Sequence, residues 1–271
     1  MPASLPVRGP GGALAAWEWP GGEPAALLLH GIGNYARVWD FVADAVAGRL
    51  RLVAPDARGH GASVKPAEGY APEDFVADAL AVMDDRGLAR PVVVGHSMGG
   101  AHALVLAALH PARVRALALV DVGPEIGREG GDRARRLSLG RPDRFASDDD
   151  ALAYLRETSP GYGDAVYANR LAYVFDRDAD GLTWRSSKDA LMRILSGPDR
   201  RSDAWLALAA LPMPVLVVRG TRSESLRQET YTRMLETIPH ATGLELDAGH
   251  NVQLDSPREL ADAIVALARA S

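Results

Sequence analysis

Short apolar runs alternate along the chain with longer stretches in which apolar residues recur at helical spacing. The runs are typical of strands buried on both faces of a parallel sheet, and they lie at Ala25–His30, Arg51–Asp56, Pro91–His96, Arg115–Asp121, Pro214–Gly220 and Thr242–Asp247. The periodic stretches predict helices over Val38–Ala47, Pro72–Arg86, Ser97–Leu109, Glu229–Ile238 and Pro257–Ala270. This alternation predicts an α/β fold with a doubly wound, mostly parallel sheet.

One long interval breaks the alternation. Between Asp121 and Pro212 no such buried run occurs, and helical stretches rich in arginine, tyrosine and tryptophan take its place. Ordinary loops rarely exceed about 15 residues. We therefore expect residues 123–206 to form a largely helical cap, inserted into a core that is built from residues 1–122 and 207–271.

Composition narrows the class of protein. The 271 residues are 47% hydrophobic and 24% charged, as in a soluble globular enzyme. A formal charge of −5 without a basic face gives no reason to expect a nucleic-acid partner. The absence of cysteine excludes disulfides and thiolate nucleophiles. Neither a signal peptide nor a membrane span is evident, so a cytoplasmic location is expected.

A serine lies at the junction of a predicted strand and a predicted helix. The sequence GHSMG, from Gly95 to Gly99, fits the pattern G-x-S-x-G, in which a sharp turn lifts a nucleophilic serine above the sheet. Glycines on either side of Ser97 relieve the clashes that such a turn would cause. The turn also leaves the amide of Met98 at a helix N-terminus, where partial positive charge gathers.

The chain resembles the α/β-hydrolase family over nearly all of its length outside the predicted cap. The similarity is carried by LLLHGIG, PDARGHGAS, GHSMGG and DAGHNVQLDSP. The resemblance implies a catalytic triad of serine, acid and histidine, and it implies that His250, just after the last strand, is the general base for Ser97. The histidines nearest the other strand ends and turns, His30, His60 and His96, are expected to fix the local backbone.

The acid of the triad is left open by the sequence. In most of the family an aspartate lies three residues beyond the glycine that ends the strand PVLVVRG, and here Ser223 takes that place. Glu224 is next in line, whereas Asp121 ends the preceding core strand. Haloalkane dehalogenases and some amide-cleaving relatives carry the acid at that strand end, so we favour Asp121.

An oxyanion hole follows from the same resemblance. Gly31 in HGIG allows a turn that aims the amide of Ile32 at the serine, and the Met98 amide supplies the second donor. The implied reaction is hydrolysis of an ester, lactone or amide of a small molecule through an acyl-enzyme, by a monomer or homodimer without cofactor or metal. The alternatives are hydrolysis of a carbon–carbon bond and a hydrolase-like small-molecule receptor with slow turnover.

Other patterns carry weaker expectations. The stretch from Asp176 to Ser187 imitates the start of a calcium-binding loop but lacks the final glutamate, so a polar turn is expected. The arginine-rich stretch GGDRARRLSLG is expected to be a solvated helix face, although its side chains are candidates for a substrate carboxylate; they are Arg133, Arg135 and Arg136. Four aromatic residues either line a pocket or pack the cap, namely Tyr162, Tyr167, Tyr173 and Trp184.

Overall fold

All six apolar runs form strands of one sheet. The computed structural model describes residues 3–197 and 201–271. Its strands are β1 Ala3–Gly9, β2 Gly12–Trp19, β3 Ala26–Leu29, β4 Leu52–Pro55, β5 Val92–His96, β6 Ala116–Val120, β7 Arg144–Phe145, β8 Phe175–Asp178, β9 Gly181–Trp184, β10 Val215–Gly220 and β11 Ala241–Leu246. Eight of them form the central sheet in the order β1-β2-β4-β3-β5-β6-β10-β11.

The central sheet is mostly parallel, which confirms the predicted fold class. Every neighbouring pair from β4 to β11 is parallel. The exception is a hairpin at one edge, since β1 pairs antiparallel with β2 and β2 pairs antiparallel with β4. The hairpin was not predicted. Its strands are partly exposed and lack the continuous apolar character that marks the other six.

Helices cover both faces of the sheet. They are α1 Asp40–Val46, α2 Pro72–Asp85, α3 Met98–Leu109, α4 Arg128–Leu139, α5 Asp148–Thr158, α6 Asp164–Tyr173, α7 Lys188–Leu195, α8 Arg201–Ala209, α9 Gln228–Thr237, α10 Val252–Asp255 and α11 Pro257–Ala270. One face packs against α1 and α11, and the other packs against α2, α3, α8 and α9. No helix among the described residues is long and apolar enough to cross a membrane.

Strand β5 shows how the core is divided between the two faces. Side chains alternate across a strand, so Val92 and Val94 pack in one hydrophobic cluster and Val93 packs in the other. All three are fully buried. Burial of one such side chain stabilises the fold by about 1.5–3 kcal/mol. The strand that delivers Ser97 is therefore held rigidly from both sides.

Residues 123–206 lie between β6 and β10 and contain α4 to α7 with part of α8. They also contain a small antiparallel sheet in the order β7-β9-β8, which the prediction of a largely helical cap did not include. These strands are two to four residues long and each has a single buried residue, so they leave no buried apolar run in the sequence. The boundaries stay a prediction: residues 198–200 lie outside the described residues, and the boundary at residue 206 falls within α8, whose Leu208 packs in the core.

Candidate active site

The turn between β5 and α3 presents Ser97 in a strained conformation. Its φ of 52° and ψ of −119° lie in a region that residues with a side chain rarely adopt. A Cβ atom at Gly95 would lie 2.5 Å from the carbonyl oxygen of Gly99, so the turn requires glycine there. The result is a half-buried serine whose hydroxyl is reachable from above the sheet.

The imidazole of His250 links Ser97 to Asp121. Its Nε2 lies 3.0 Å from Oγ of Ser97, and its Nδ1 lies 2.7 Å from Oδ2 of Asp121. An ionised carboxylate accepts hydrogen bonds only, so the ring proton is on Nδ1 and the lone pair of Nε2 faces the serine hydroxyl. This arrangement allows His250 to take a proton from Ser97.

Asp121 follows β6 in a left-handed conformation, with a φ of 50°. Its buried carboxylate accepts hydrogen bonds from the backbone N–H of Gly220, at 3.1 Å, and from the hydroxyl of Ser223. Together with His250 it has three donors. Of the two acids that the sequence left open, Asp121 contacts the histidine, whereas the side chain of Glu224 is exposed.

The contact with Ser223 was missed in the sequence analysis. Ser223 was noted there only because it replaces the acid expected at that position. The missed signal was its spacing, since a residue at that position lies beside the histidine loop and can meet a carboxylate on the neighbouring strand.

His96, immediately before Ser97, holds the loop that carries His250. Its Nε2–H donates to the backbone oxygen of His250 at 2.8 Å. Burial lowers the pKa of His96 well below its usual value, and the neighbouring charge of His250 lowers it further. The ring is therefore neutral, and its Nδ1 has no hydrogen-bond partner among the described residues.

His30 and His60 secure the loop that follows β3. The Nδ1–H of His30 donates to the backbone oxygen of Gly31 at 2.8 Å, while its Nε2 accepts from the N–H of Ala57 at 2.9 Å. The Nε2 of His60 accepts from the N–H of Gly33 at 3.0 Å. Both rings therefore bind backbone groups, as predicted for them.

The loop after β3 approaches the serine turn closely. A Cβ atom at Gly31 would lie 2.8 Å from Nδ1 of His96 and 3.2 Å from Cβ of Ser97. Within the described part of the chain, no acceptor is hydrogen-bonded to the N–H of Ile32. Met98 is the first residue of α3, and the N–H of a first helical residue has no partner within its helix.

The inserted segment contacts two of the loops that surround Ser97. The hydroxyl of Tyr35 donates to Asn169 on α6 at 2.7 Å. The hydroxyl of Tyr162 lies 3.5 Å from Nδ2 of Asn251, which is the neighbour of His250. Tyr173 stacks on the ring of Tyr35 with centroids 6.2 Å apart. The segment is thus fixed to the core beside Ser97 and His250.

The remaining aromatic and polar candidates have structural contacts. Trp184 packs on Phe175, and the hydroxyl of Tyr167 bonds the backbone of Ser159. The stretch that imitates the start of a calcium-binding loop, Asp176 to Ser187, contains the hairpin of β8 and β9. No group of carboxylates or histidines in the described residues could hold a metal ion. The three candidate arginines Arg133, Arg135 and Arg136, all in α4, are exposed. Two of them bond backbone oxygens, Arg133 that of Thr158 and Arg135 that of Leu195.

Comparison with known proteins identifies the family. The sequence profile described as "Alpha/beta hydrolase family" matches residues 26–263. The chain belongs to the alpha/beta hydrolase family. The predicted fold, a mostly parallel sheet with flanking helices, is confirmed as that of an alpha/beta hydrolase.

Several proteins similar to this alpha/beta hydrolase are named as hydrolases or esterases. A 3-hydroxybutyrate-oligomer hydrolase of Cupriavidus necator is 31% identical over 270 residues, covering 92% of this chain and 90% of the relative. An esterase of Mycobacterium tuberculosis is 28% identical over 260 residues, covering 93% and 85%. The crystal structure of E-2-(acetamidomethylene)succinate hydrolase matches with a TM-score of 0.88 at 27% identity, covering 98% of this chain and 99% of that one. The prediction that this chain is a hydrolase is confirmed.

Proposed function

We propose that this alpha/beta hydrolase cleaves an ester, lactone or amide bond of a small molecule through an acyl-enzyme. Ser97 is the nucleophile, His250 is the general base and Asp121 orients and stabilises the imidazole. The observation that carries the proposal is the continuous hydrogen-bonded line from Oγ of Ser97 through both ring nitrogens of His250 to Asp121, with distances of 3.0 Å and 2.7 Å. The names of its relatives, esterase and oligomer hydrolase, support it.

The first half of the reaction forms the acyl-enzyme. Oγ of Ser97 attacks the carbonyl carbon while its proton passes to Nε2 of His250. The oxygen that becomes negative is stabilised by the N–H groups of Ile32 and Met98. Loss of one such donor costs about 3–4 kcal/mol of transition-state stabilisation. The imidazolium then protonates the leaving group, and the bond between the carbonyl carbon and that group breaks.

The second half releases the acid. Water attacks the acyl carbon as Nε2 of His250 accepts one of its protons, and the bond to Oγ breaks as that proton returns to Ser97. The carboxylate of Asp121 stabilises the imidazolium in both halves. In this proposal residues 123–206 act as a cap that shapes the substrate pocket. A cytoplasmic location and a monomeric or homodimeric state stay predictions.

Labelling and turnover of one protein preparation test the proposal. A fluorophosphonate probe is expected to label Ser97, and p-nitrophenyl esters of increasing chain length are expected to be hydrolysed with sustained turnover. Ser97→Ala should lose both properties, whereas His240→Ala, at an exposed position, should keep them. A single burst without turnover would favour a hydrolase-like receptor. Undiminished hydrolysis by Ser97→Ala would contradict the proposal.

A further inference from the structure

The arginines of the inserted segment differ in their exposure and in their partners, and Arg133, Arg135 and Arg136 are exposed. Several exposed or partly exposed ones pair with carboxylates: Arg144 with Asp178, Arg156 with Asp164, Arg177 with Asp148 and Arg185 with Asp176. Arg141 is buried and Arg170 is half-buried. Within residues 3–197 and 201–271, neither of these two has a carboxylate oxygen within 4.0 Å.

Arg141 is a buried cation with spare hydrogen-bond donors. Its guanidinium donates to the hydroxyl of Ser186 at 2.8 Å and to the backbone oxygen of Ser186 at 2.6 Å, and it lies 4.4 Å from the ring centre of Trp184. Its Nε is buried without a partner among the described residues. Burial lowers the pKa of Arg141 to about 10, so it is still charged at neutral pH. The charge of Asp143 raises the pKa of Arg141, but the carboxylate of Asp143 pairs directly with Lys188. A buried charge without a directly paired counter-charge costs several kcal/mol.

Contacts connect Arg141 to the loop that carries Ile32. The residue after Ser186, Ser187, donates its N–H to the backbone oxygen of Gly59 at 2.9 Å. His60, next to Gly59, bonds the N–H of Gly33. Burial lowers the pKa of His60 and the charge of Arg141 also contributes to lowering it, so the guanidinium lies near the turn that supports the proposed oxyanion hole.

Arg170 reaches the same region from α6. Residues three and four apart share a helix face, and Arg170 shares one with buried Val166 and with Tyr173, which stacks on Tyr35. Burial raises the pKa of Tyr35, Tyr154 and Tyr162, and the charge of Arg170 opposes the rise in each case. Since the Tyr162 hydroxyl lies beside Asn251, this cation is close to the His250 loop.

The two arginines share one neighbour. Burial raises the pKa of Tyr154, and both Arg141 and Arg170 lower it. The ring of Tyr154 packs edge-on against Trp184, with centroids 6.0 Å apart, on the side where Arg141 lies. Two cations with no carboxylate oxygen within 4.0 Å among the described residues therefore lie near the same half-buried phenol.

We propose that Arg141 and Arg170 form a carboxylate-binding subsite, and that the substrate is an ester, lactone or amide that carries a carboxylate group. The assignment of the subsite to substrate rests on the proposed function of Ser97. A guanidinium matches a carboxylate with two parallel hydrogen bonds. The bound anion supplies a directly paired counter-charge, which no carboxylate among the described residues provides within 4.0 Å, and it positions the scissile bond over Ser97.

Binding without turnover tests the subsite. The Ser97→Ala variant is titrated by calorimetry with the monomethyl esters of succinic, glutaric and adipic acid and with the dimethyl esters of the same acids, which lack the charge. We expect at least one monomethyl ester to bind about tenfold more tightly than its dimethyl counterpart, a difference of about 1.4 kcal/mol. Adding Arg170→Gln or Arg141→Gln should remove this preference, and Arg177→Gln, at an exposed paired arginine, should keep it.

The failing results are distinct. Equal affinity for the two esters of all three acids overturns the subsite, and so does a preference that survives Arg170→Gln. Arg170 is only half-buried, so its variant keeps the test valid if Arg141→Gln does not fold. If the preference is present but the native enzyme hydrolyses none of these esters, the subsite stands and the hydrolytic proposal fails. If the native enzyme hydrolyses the dimethyl esters and the Ser97→Ala variant binds the monomethyl and dimethyl esters equally, the hydrolytic proposal stands and the subsite fails.

Discussion

The hydroxyl of Ser223 and the ring N–H of His250 donate to the same oxygen of Asp121. The backbone N–H of Ser225 in turn donates to Oγ of Ser223 at 3.1 Å, which leaves the hydroxyl proton of Ser223 for the carboxylate. The other oxygen of Asp121 accepts from Gly220. Ser223 therefore acts as a positioning residue, because it restricts the rotation of the carboxylate that orients the imidazole.

Replacement of Asp121 tests the choice between the two acids. Asp121→Asn should lower kcat by about 10⁴-fold, the loss seen when the acid of a serine triad becomes an amide. The physical reason is that the amide no longer stabilises the imidazolium and can no longer fix the proton on Nδ1. Steady-state hydrolysis of a p-nitrophenyl ester measures kcat for each variant. Glu224→Gln, at an exposed side chain, should change kcat by less than about twofold. The opposite ranking of the two variants would make Glu224 the acid.

Relocation of the carboxylate to position 223 should restore part of the lost activity. The side chain at 223 already touches the oxygen that binds His250, so an aspartate there lies close to the same ring nitrogen. We expect Asp121→Asn with Ser223→Asp to exceed Asp121→Asn alone by at least about tenfold in kcat, or about 1.4 kcal/mol of barrier. Asp121→Asn with Ser223→Asn is the matched control and should show no recovery. Equal rates for the two double variants would argue against the relocation.

Sequence reasoning located the strands and the serine turn, because both depend on local patterns. The run Pro91–Val94 is apolar, and the turn needs glycine at Gly95. Sequence reasoning left the acid of the triad undecided, because the contact between Asp121 and His250 joins residues 129 positions apart along the chain.

The inserted segment was predicted least well. Each of its short strands has a single buried residue and thus no apolar run, and the choice of which arginine is buried depends on tertiary packing. The sequence analysis named Arg133, Arg135 and Arg136 as candidates for binding a substrate carboxylate, but these side chains are exposed. Arg141, which it did not name, is buried. A run of charges along a helix does not reveal which guanidinium meets an aromatic ring instead of water.

The turn at Ser97 should not tolerate a methyl group at Gly95. A Cβ atom there would lie 2.5 Å from both the Cα of Gly100 and the oxygen of Gly99, and backbone atoms cannot move away cheaply. We expect Gly95→Ala to lower the free energy of unfolding by about 3 kcal/mol or more, as severe core strain does. Urea unfolding followed by circular dichroism measures the loss.

Gly131 in α4 is the matched control for Gly95. The nearest atom to a Cβ atom there would be 4.0 Å away. Alanine is favoured over glycine in a helix by about 1 kcal/mol, so Gly131→Ala should stabilise slightly. If Gly95→Ala were as well tolerated as Gly131→Ala, close backbone packing would not be the reason that the turn requires glycine.

Buried His102 should make the protein less stable in acid. Its ring stacks on Phe75 with centroids 4.0 Å apart. Burial, assisted by the charges of His30 and Arg58 and opposed by Glu73, lowers the pKa of His102 to about 3. The unfolded chain has a histidine pKa of about 6.5. Between these values the unfolded state binds a proton that the folded state does not, so the free energy of unfolding falls as the pH falls from about 6.5 towards 3.

The contribution of His102 is isolated by substitution. In His102→Leu the free energy of unfolding should depend less steeply on pH between about 4.5 and 6, by about 1.4 kcal/mol per pH unit, because one proton fewer is taken up on unfolding. Urea titrations at several pH values give both slopes. His240→Gln, at an exposed histidine, controls for the loss of a ring and should retain the slope of the native chain. A slope that is the same in His102→Leu and the native protein would mean that His102 takes up its proton without unfolding.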